Sequence, residues 1–269
     1  MSEEAVFRYI PSSGQLMVGA WHGAPEIIDS WLHIDGQAIA VDAHFSRFAA
    51  ALAHTRPSLD VEGFLDAVTE HLPDKGSWFP RLEYARETGL ALRLRPAPTL
   101  KTSANVWTFP APDPRTNPGV KGPDLVQLKS IQRSAAFYQA DEAILINHDG
   151  HVLEGTTSAL MWWEHEALCV PAVTQKLLPS ITRAAVEAIC RDKGIFVRHS
   201  ERTPEFVADH PCWILNALHG IRPVTGWVGF PDPPQSPAAV IAEFRAALAG
   251  LKHRVRRVRQ CGEGMSSVG

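Results

Sequence analysis

The sequence predicts an α+β protein of two lobes, because of its length, its periodicity and one break in its composition. The chain has 269 residues, of which 45% are hydrophobic, and a single hydrophobic core stops growing near roughly 250 residues. Residues 110–124, PAPDPRTNPGVKGPD, hold five prolines and two glycines, which rules out a regular element there. We predict an N-terminal α/β lobe over 1–112, a linker over 113–123, a larger lobe over 124–252 and a flexible basic tail over 253–269.

Both the helical and the strand-like spacing of apolar residues occur before the linker. Apolar side chains recur at helical spacing over 37–54 and 61–72, whereas 78–84 and 89–98 alternate or run apolar in the manner of strands. These segments predict a small α/β lobe.

The second lobe is predicted to contain a mainly antiparallel sheet. Asp149-Gly150 lies between two strand-like runs and is typical of a two-residue I′ turn, and a second turn is predicted at 164–166. The strand-like runs are 142–147, 151–155, 159–163, 167–170 and 213–218. Helices are predicted over 124–139, over 178–194 with Ser180 as N-cap and Gly194 as stop, and from residue 238 onward.

The composition excludes several classes of protein. The formal charge is −3 and the isoelectric point about 6.5, so no basic surplus indicates nucleic-acid binding. No run approaches the roughly 20 apolar residues of a membrane span, and the start, MSEEAVFRYI, lacks the apolar segment of a secretory signal. We expect a cytoplasmic protein whose partner is a small molecule.

The sequence lacks the motifs of several other functional classes. GxGxxG, GxxxxGK[ST], GxSxG and HExxH are all missing, so neither a nucleotide loop, a nucleophile elbow nor a zinc site is predicted. The four cysteines, Cys169, Cys190, Cys212 and Cys261, form no CxxC pair, and buried free thiols are expected.

Two residues are candidates for imine chemistry. Lys121 lies in GVKGPD at the inner end of the linker, where its side chain is expected to point into a cleft between the lobes. A lysine there can form an imine with an aldehyde cofactor and then move a proton, if its surroundings lower its pKa. Glu154 is expected to point inward with Val152, where a protonated pyridinium nitrogen would be a suitable partner. Solvent-exposed charges are the alternative for both.

A phosphate site is predicted at the start of one helix. Ser180, Ile181 and Thr182 open this helix with free backbone amides and a hydroxyl, and helix N-termini bind phosphate through such donors. Arg47, in HFSRF, would supply a forked charge to the same phosphate.

Two further groups are candidates for substrate binding. Arg93 and Arg95 share one face of a strand, which favours a substrate carboxylate as their partner. Asn216, His219 and Arg222 follow an apolar strand in NALHGIRPV, a pattern of either a binding loop or a polar turn.

Taken together and in order, these segments resemble the class IV aminotransferase family, which includes branched-chain and D-amino-acid aminotransferases and aminodeoxychorismate lyase. The resemblance runs through HFSRF, VKGPD, ADEAILINHDGHVLEGTTSAL, LPSITR and NALHGIRPV and covers most of residues 40–228. It implies the two-lobed fold type IV architecture, pyridoxal 5'-phosphate as the cofactor, and a homodimer with active sites near the subunit contact.

Residue by residue, the resemblance implies that Lys121 binds the cofactor as a Schiff base and that Glu154 meets the cofactor's ring nitrogen. Lys129 is the competing lysine, but Lys121 lies 33 residues before Glu154, close to the usual separation in the family. Arg95 would bind the substrate carboxylate.

For the phosphate, the resemblance implies Arg47 and the backbone amides of Ile181 and Thr182, with Ser180 in place of the usual glycine. Ala217 stands where some relatives use a phosphate-binding hydroxyl.

The sequence departs from the family pattern at two further places. Ala159 replaces the asparagine of EGxxSN, which helps to order that loop, and EIIDSWLHIDG occupies the place of the YGxGxFE segment that shapes the substrate pocket.

Three functions are therefore weighed: an aminotransferase acting on an amino acid and a 2-oxo acid, an aminodeoxychorismate lyase that releases pyruvate and 4-aminobenzoate, and a non-catalytic ligand-binding relative.

Overall fold

The computed structural model describes residues 4–20, 23–53, 56–172 and 176–255. The first part of the chain forms a lobe of short strands and two helices. Its elements are β1 (Ala5–Ile10), β2 (Gln15–Val18), β3 (Ile27–Ser30), β4 (His33–Ile34), β5 (Gln37–Ile39), α1 (Val41–Ala53), α2 (Val61–His71), β6 (Ser77–Trp78), β7 (Arg81–Ala85) and β8 (Gly89–Leu94).

A five-stranded antiparallel sheet, in the order β2-β1-β8-β7-β3, carries the core of this lobe. Buried side chains of α1 and α2, such as Phe48 and Phe64, meet Leu82 and Leu92 of the sheet. The predicted helix over 37–54 is corrected at its start, because residues 37–39 form β5. Ala40 has a positive φ of 50°, and this turn separates β5 from α1.

The second part of the chain forms a larger, strand-rich lobe. Its elements are β9 (Ala104–Pro112), α3 (Leu125–Phe137), β10 (Glu142–Ile146), β11 (Val152–Gly155), β12 (Ala159–Glu164), β13 (Ala167–Pro171), α4 (Ile181–Asp192), β14 (Val197–Ser200), α5 (Pro204–Ala208), β15 (Cys212–Asn216), β16 (Gly220–Trp227) and α6 (Ala238–Gly250), and the chain then continues into β17 (Lys252–Arg254).

An eight-stranded mixed sheet, in the order β11-β10-β9-β16-β15-β12-β13-β14, is the centre of the second lobe. Four of its seven strand pairs are antiparallel. Strand β9 lies between β10 and β16 and is parallel to both. The boundary that we predicted at residue 112 therefore needs correction, because 104–112 pair with the second lobe.

The first hairpin of this sheet turns differently from the prediction. Gly150 has a positive φ of 79°, whereas Asp149 is not among the residues of positive φ, so the turn is not of type I′. The side chain of Asn147 accepts hydrogen bonds from the amides of Asp149 (3.0 Å) and His151 (2.8 Å). These bonds stabilise a longer turn than the two-residue one.

The predicted tail boundary at residue 253 is also corrected, because residues 253–255 lie within the folded part of the chain. Lys252–Arg254 form β17, which pairs antiparallel with β5 of the first lobe. Val255 is 8% exposed and belongs to the core of that lobe. Residues 256–269, with Cys261, lie outside the described residues.

The three cysteines in the described part of the chain are buried and free, as expected. Burial raises the pKa of the Cys169 and Cys190 thiols to about 11 and that of Cys212 to about 12. Within the described residues, no helix is both long enough and apolar enough to cross a membrane.

A buried ion pair of the first lobe positions Arg47 to contact the second lobe. Asp29 of β3 accepts hydrogen bonds from Nε and Nη2 of Arg47 in α1, both at 2.8 Å, and Arg47 Nη1 donates to the carbonyl of Pro179 at 2.7 Å. His44 Nδ1 lies 2.7 Å from the same carboxylate. Burial lowers the pKa of His44 despite Asp29, so a neutral His44 donates this hydrogen bond and Arg47 carries the balancing charge.

The linker is fixed against the edge of β3. Ile28 N donates to the carbonyl of Lys121 at 2.8 Å, and Gly122 has a φ of 148°. A Cβ atom at Gly122 would overlap the carbonyl oxygen of Glu26 and lie 2.8 Å from Ile27 Cα. Residue 122 is therefore a glycine because the two backbones approach so closely.

Gly122→Ala is predicted to lower the free energy of unfolding by at least about 2 kcal/mol, because it combines backbone strain with overlap of a neighbouring strand. Urea unfolding followed by tryptophan fluorescence measures the loss. Gly119→Ala is the matched control, since a Cβ there meets nothing within 4 Å. Equal stability of the two variants would contradict the close approach.

Asp29→Asn is predicted to destabilise the protein by about 3 kcal/mol at neutral pH, because it leaves Arg47 without its buried counter-charge. Burial alone would raise the pKa of Asp29, but the hydrogen bonds of His44 and Arg47 and the charge of Arg47 lower it below its ordinary value. The stabilisation is therefore present above the ordinary pKa of about 3.9 and is lost as the pH falls through the lower folded value.

Urea unfolding of wild type and Asp29→Asn between pH 7 and pH 3 tests this linkage, with the exposed Asp42→Asn in α1 as control. The difference between wild type and Asp29→Asn should shrink only at the acid end. A difference that is independent of pH would show that the carboxylate charge is not the cause.

Candidate active site

A cleft with a cavity volume of about 320 Å³ lies where the linker, the end of β11, the start of α4 and the loop after β15 face the first lobe. The cleft brings together most of the predicted site residues. Those that line it are Arg47, Arg95, Lys121, Glu154, Ser180, Ile181, Thr182, Asn216, Ala217 and His219.

Lys121 lies in the wall of this cleft, as predicted. Within the part of the chain that the structure describes, no group forms a hydrogen bond or ion pair with its amine. Burial lowers the pKa of Lys121, and Arg47 lowers it further, whereas Asp29, Glu154 and Glu142 raise it. The surroundings thus favour the uncharged amine, which is the nucleophilic form. Lys129 is exposed on α3.

Glu154 is 4% exposed and also borders the cleft. Its Oε1 accepts hydrogen bonds from Arg115 Nη1 at 2.7 Å and from the amide of Leu178 at 3.0 Å. Oε2 accepts no hydrogen bond from any residue that the structure describes. One oxygen of this buried carboxylate is therefore bound within the protein and the other is available to a ligand.

The start of α4 forms an anion site beside Arg47. The side chain of Ser180 caps the helix by accepting from the amide of Arg183 at 3.2 Å, which leaves the amides of Ile181 and Thr182 without an intrahelical partner. Arg47 Nη1 holds the preceding carbonyl of Pro179. Three of the five N–H groups of Arg47 are used by the protein, and the others remain for an anion.

The loop 155–158 is ordered by a residue that the sequence did not single out. Glu142 is fully buried and accepts hydrogen bonds from the hydroxyls of Thr156, Thr157 and Ser158 and from the amide of Thr157. These bonds order the loop although Ala159 stands in place of the family's asparagine.

The two arginines of ALRLRP have different roles. Arg93 donates to Glu83 at 2.6 and 3.2 Å and to Glu4 at 2.6 Å, and it does not line the cleft. Our prediction of Arg93 as a substrate ligand is therefore corrected: its charge is matched by Glu83, its diagonal neighbour on β7, and by Glu4.

Arg95 does line the cleft and has no ion pair among the described residues. Its Nε donates to the carbonyl of Phe79 at 3.1 Å, and its guanidinium lies 4.6 Å from the centroid of the Phe79 ring. Burial, with the nearby charge of Arg81, lowers the pKa of Arg95 to about 10. A half-buried guanidinium without a direct ion pair is a site for an anionic ligand.

The loop after β15 is shaped by Asn216. Its side-chain oxygen accepts from the amides of Leu218 (3.2 Å) and His219 (2.8 Å), and the carbonyl of Ala217 accepts from Leu32 N at 3.0 Å. Burial and the charges of Arg222 and Lys101 lower the pKa of His219 to about 4. His219 therefore offers the cleft a neutral imidazole.

Three residues of the site were missed in the sequence. Asp29 and Glu142 are carboxylates inside apolar runs, IIDSW and DEAILI, and this isolation is a signal that a buried partner is required. Arg115 lies among the prolines of the linker, where neither periodicity nor spacing distinguishes it from a solvated charge.

A comparison with known protein families shows the family. The family model for amino-transferase class IV matches residues 26–227, three quarters of the chain. No curated protein matches the sequence.

Several solved structures share the fold. A hypothetical aminotransferase from Mycobacterium tuberculosis in its PLP-bound form has 18% identity and a TM-score of 0.77, with 93% of this chain and 98% of the other covered. The branched-chain aminotransferase of Thermoproteus uzoniensis with norvaline has 17% identity and a TM-score of 0.77, with coverage of 94% and 99%. A putative 4-amino-4-deoxychorismate lyase from Legionella pneumophila has 17% identity and a TM-score of 0.72, with coverage of 87% and 96%. From the extent of the family match, the chain belongs to the class IV aminotransferase family.

Proposed function

We propose that the protein is a pyridoxal-phosphate-dependent aminotransferase that exchanges an amino group between an amino acid and a 2-oxo acid. The observation that carries this proposal is the presence, in one cleft, of a half-buried lysine whose amine has no partner among the described residues and of a carboxylate oxygen open to a ligand. The cofactor is supported by the family match and by the PLP-bound relative.

The residues of the cleft match the groups of pyridoxal phosphate. Lys121 Nζ would bind the aldehyde carbon, Glu154 Oε2 would accept a hydrogen bond from the ring nitrogen, and Arg47 with the α4 amides would hold the phosphate. When bound, the cofactor supplies an electron sink for negative charge at the substrate Cα.

The chain's own groups would then carry out proton transfer and orientation. Lys121 Nζ would take up the proton of the substrate Cα, for which its lowered pKa is suitable. Arg95 would bind the substrate carboxylate and so fix which bond at Cα faces the lysine. Asn216 and His219 would border the same substrate.

Aminodeoxychorismate lyase activity is a second candidate, supported by the likeness to the Legionella protein and by the polar loop NALHGIRPV. A non-catalytic role is opposed by the presence of both Lys121 and Glu154. The proposal includes a cytoplasmic homodimer.

Lys121→Ala is predicted to abolish covalent attachment of pyridoxal phosphate and to lower turnover by at least about 100-fold, because it removes both the nucleophile and the base. Borohydride reduction and peptide mass mapping should find the pyridoxyl label on residue 121 of the wild type. Lys129→Ala, the matched control, should retain it. A label on Lys129 would contradict the assignment.

A panel of substrates, given to the wild type, separates the two activities. Conversion of the bound cofactor to its pyridoxamine form by an amino acid supports transamination. Release of pyruvate and 4-aminobenzoate from aminodeoxychorismate, without accumulation of the pyridoxamine form, identifies the lyase instead.

Arg95→Leu is predicted to raise KM for the preferred carboxylate substrate by about 10- to 100-fold, because a charge-assisted hydrogen bond is lost. Steady-state kinetics measures this change, and Arg95→Lys should recover part of it. Arg86→Leu, at an exposed arginine of the same lobe, is the control. An unchanged KM in Arg95→Leu would remove Arg95 from substrate binding.

A further inference from the structure

A chain of three buried charges leads from the linker to the cleft. Arg115 Nη1 donates to Glu154 Oε1 at 2.7 Å, and the opposite edge of the guanidinium holds Asp113 through Nη2 at 2.7 Å and Nε at 2.9 and 3.0 Å. The side chains of Asp113, Arg115 and Glu154 are 10%, 5% and 6% exposed. Such pairs, shielded from water, interact more strongly than pairs on the surface.

The two carboxylate oxygens of Glu154 differ in their hydrogen bonds. Arg115 and the amide of Leu178 both bind Oε1, so the carboxylate cannot turn without losing two hydrogen bonds. Oε2 is thereby directed to the cleft that Glu154 lines. Asp113 accepts hydrogen bonds along the other edge of Arg115 and so fixes the orientation of the guanidinium plane toward Glu154.

The charge of Arg115 also governs whether Glu154 is ionised. Burial raises the pKa of Glu154, and Arg115 is the largest influence that opposes this rise. Burial alone would lower the pKa of Arg115, but Asp113 and Glu154 raise it, so the guanidinium stays charged. Without Arg115, the Glu154 carboxyl would take up a proton at higher pH and would then donate rather than accept a hydrogen bond.

We propose that Arg115, held by Asp113, is the positioning residue that favours the ionised form of Glu154 and aims this carboxylate at the cofactor's ring nitrogen, and so favours the proton on that nitrogen. This inference rests on the proposed function, in which Glu154 meets the ring. Arg115 would not touch the cofactor and would act through Glu154 alone.

The test compares Arg115→Met, which removes the charge at similar length, with Arg115→Lys, which keeps the charge but loses the fork. Arg133→Met, at an exposed arginine of α3, controls for the loss of a positive charge elsewhere. In protein loaded with ¹⁵N-labelled pyridoxal phosphate, the ¹⁵N chemical shift reports directly whether the ring nitrogen carries a proton.

We expect the midpoint of ring-nitrogen deprotonation to fall by about 1 to 2 pH units in Arg115→Met, the size of effect that an adjacent opposite charge has on a carboxyl group. Arg115→Lys should recover most of this shift and Arg133→Met should show none. A merely structural role of Arg115 would not move this midpoint in a variant that folds and binds the cofactor.

A second measurement needs no cofactor. Infrared spectra of the unloaded protein, followed over pH, should show a protonated carboxyl band that persists to higher pH in Arg115→Met than in the wild type, and this band should be missing from Arg115→Met combined with Glu154→Gln. If Arg115→Met fails to fold, Asp113→Asn provides the same comparison, with a smaller shift of the same sign.

The outcomes separate this inference from the proposed function. An unchanged ¹⁵N midpoint and an unchanged infrared spectrum in Arg115→Met, with the cofactor still attached to Lys121, would overturn the role of Arg115 and leave the proposed function standing. A wild type that binds no pyridoxal phosphate would overturn the proposed function, and with it the role of Arg115 toward a ring nitrogen.

Discussion

The hydrogen bond from Ile28 N to the carbonyl of Lys121 ties the proline-rich linker to the edge strand of the first lobe. Because Gly122 permits the two backbones to approach, the side chain before it is held at the wall of the cleft instead of moving with a loop. Asp124 adds to this by accepting hydrogen bonds from the amides of Thr116 and Asn117, each at 3.0 Å. A segment without helix or strand thus has a defined conformation where a reactive lysine needs one.

The buried carboxylates around the cleft are each bound by donors within the protein. Asp29 is balanced by Arg47, Glu142 by hydroxyl and amide donors, and Glu154 by Arg115 on one oxygen. Once these pairs are formed, the amine of Lys121 and the guanidinium of Arg95 are left without a direct ion pair among the described residues. Their desolvation is a free-energy cost that a bound anionic cofactor and substrate would offset.

Much of this site could be predicted from the sequence, because the order of the short motifs along the chain matches the family even where each motif alone is weak. Lys121, Glu154 and the helix start at Ser180 all line the cleft as expected. Strand register could not be predicted, and register places Arg93 opposite Arg81, where the neighbouring Glu83 is within reach of its guanidinium. The alternation of a single strand says which side chains share a face, but not which residue lies opposite.

Long-range pairings account for the other differences. The β9 segment was assigned to the first lobe because it precedes the prolines, yet its partners β10 and β16 come later in the chain. The role of Arg115 could not be predicted for a similar reason, since it depends on a contact with Glu154, 39 residues away. Local patterns determine the elements, whereas the contacts that give the charges their roles are made between distant segments.

Strand β17 has a consequence for how the two lobes are held as one body. The chain leaves the first lobe through the linker, completes the second lobe at α6, and then returns to pair with β5 and to place Val255 in the first core. The first lobe is therefore completed by the last described residues of the chain. A cut in the linker would leave two fragments that still share a sheet, and a fragment ending at the linker would lack an edge strand and part of its core.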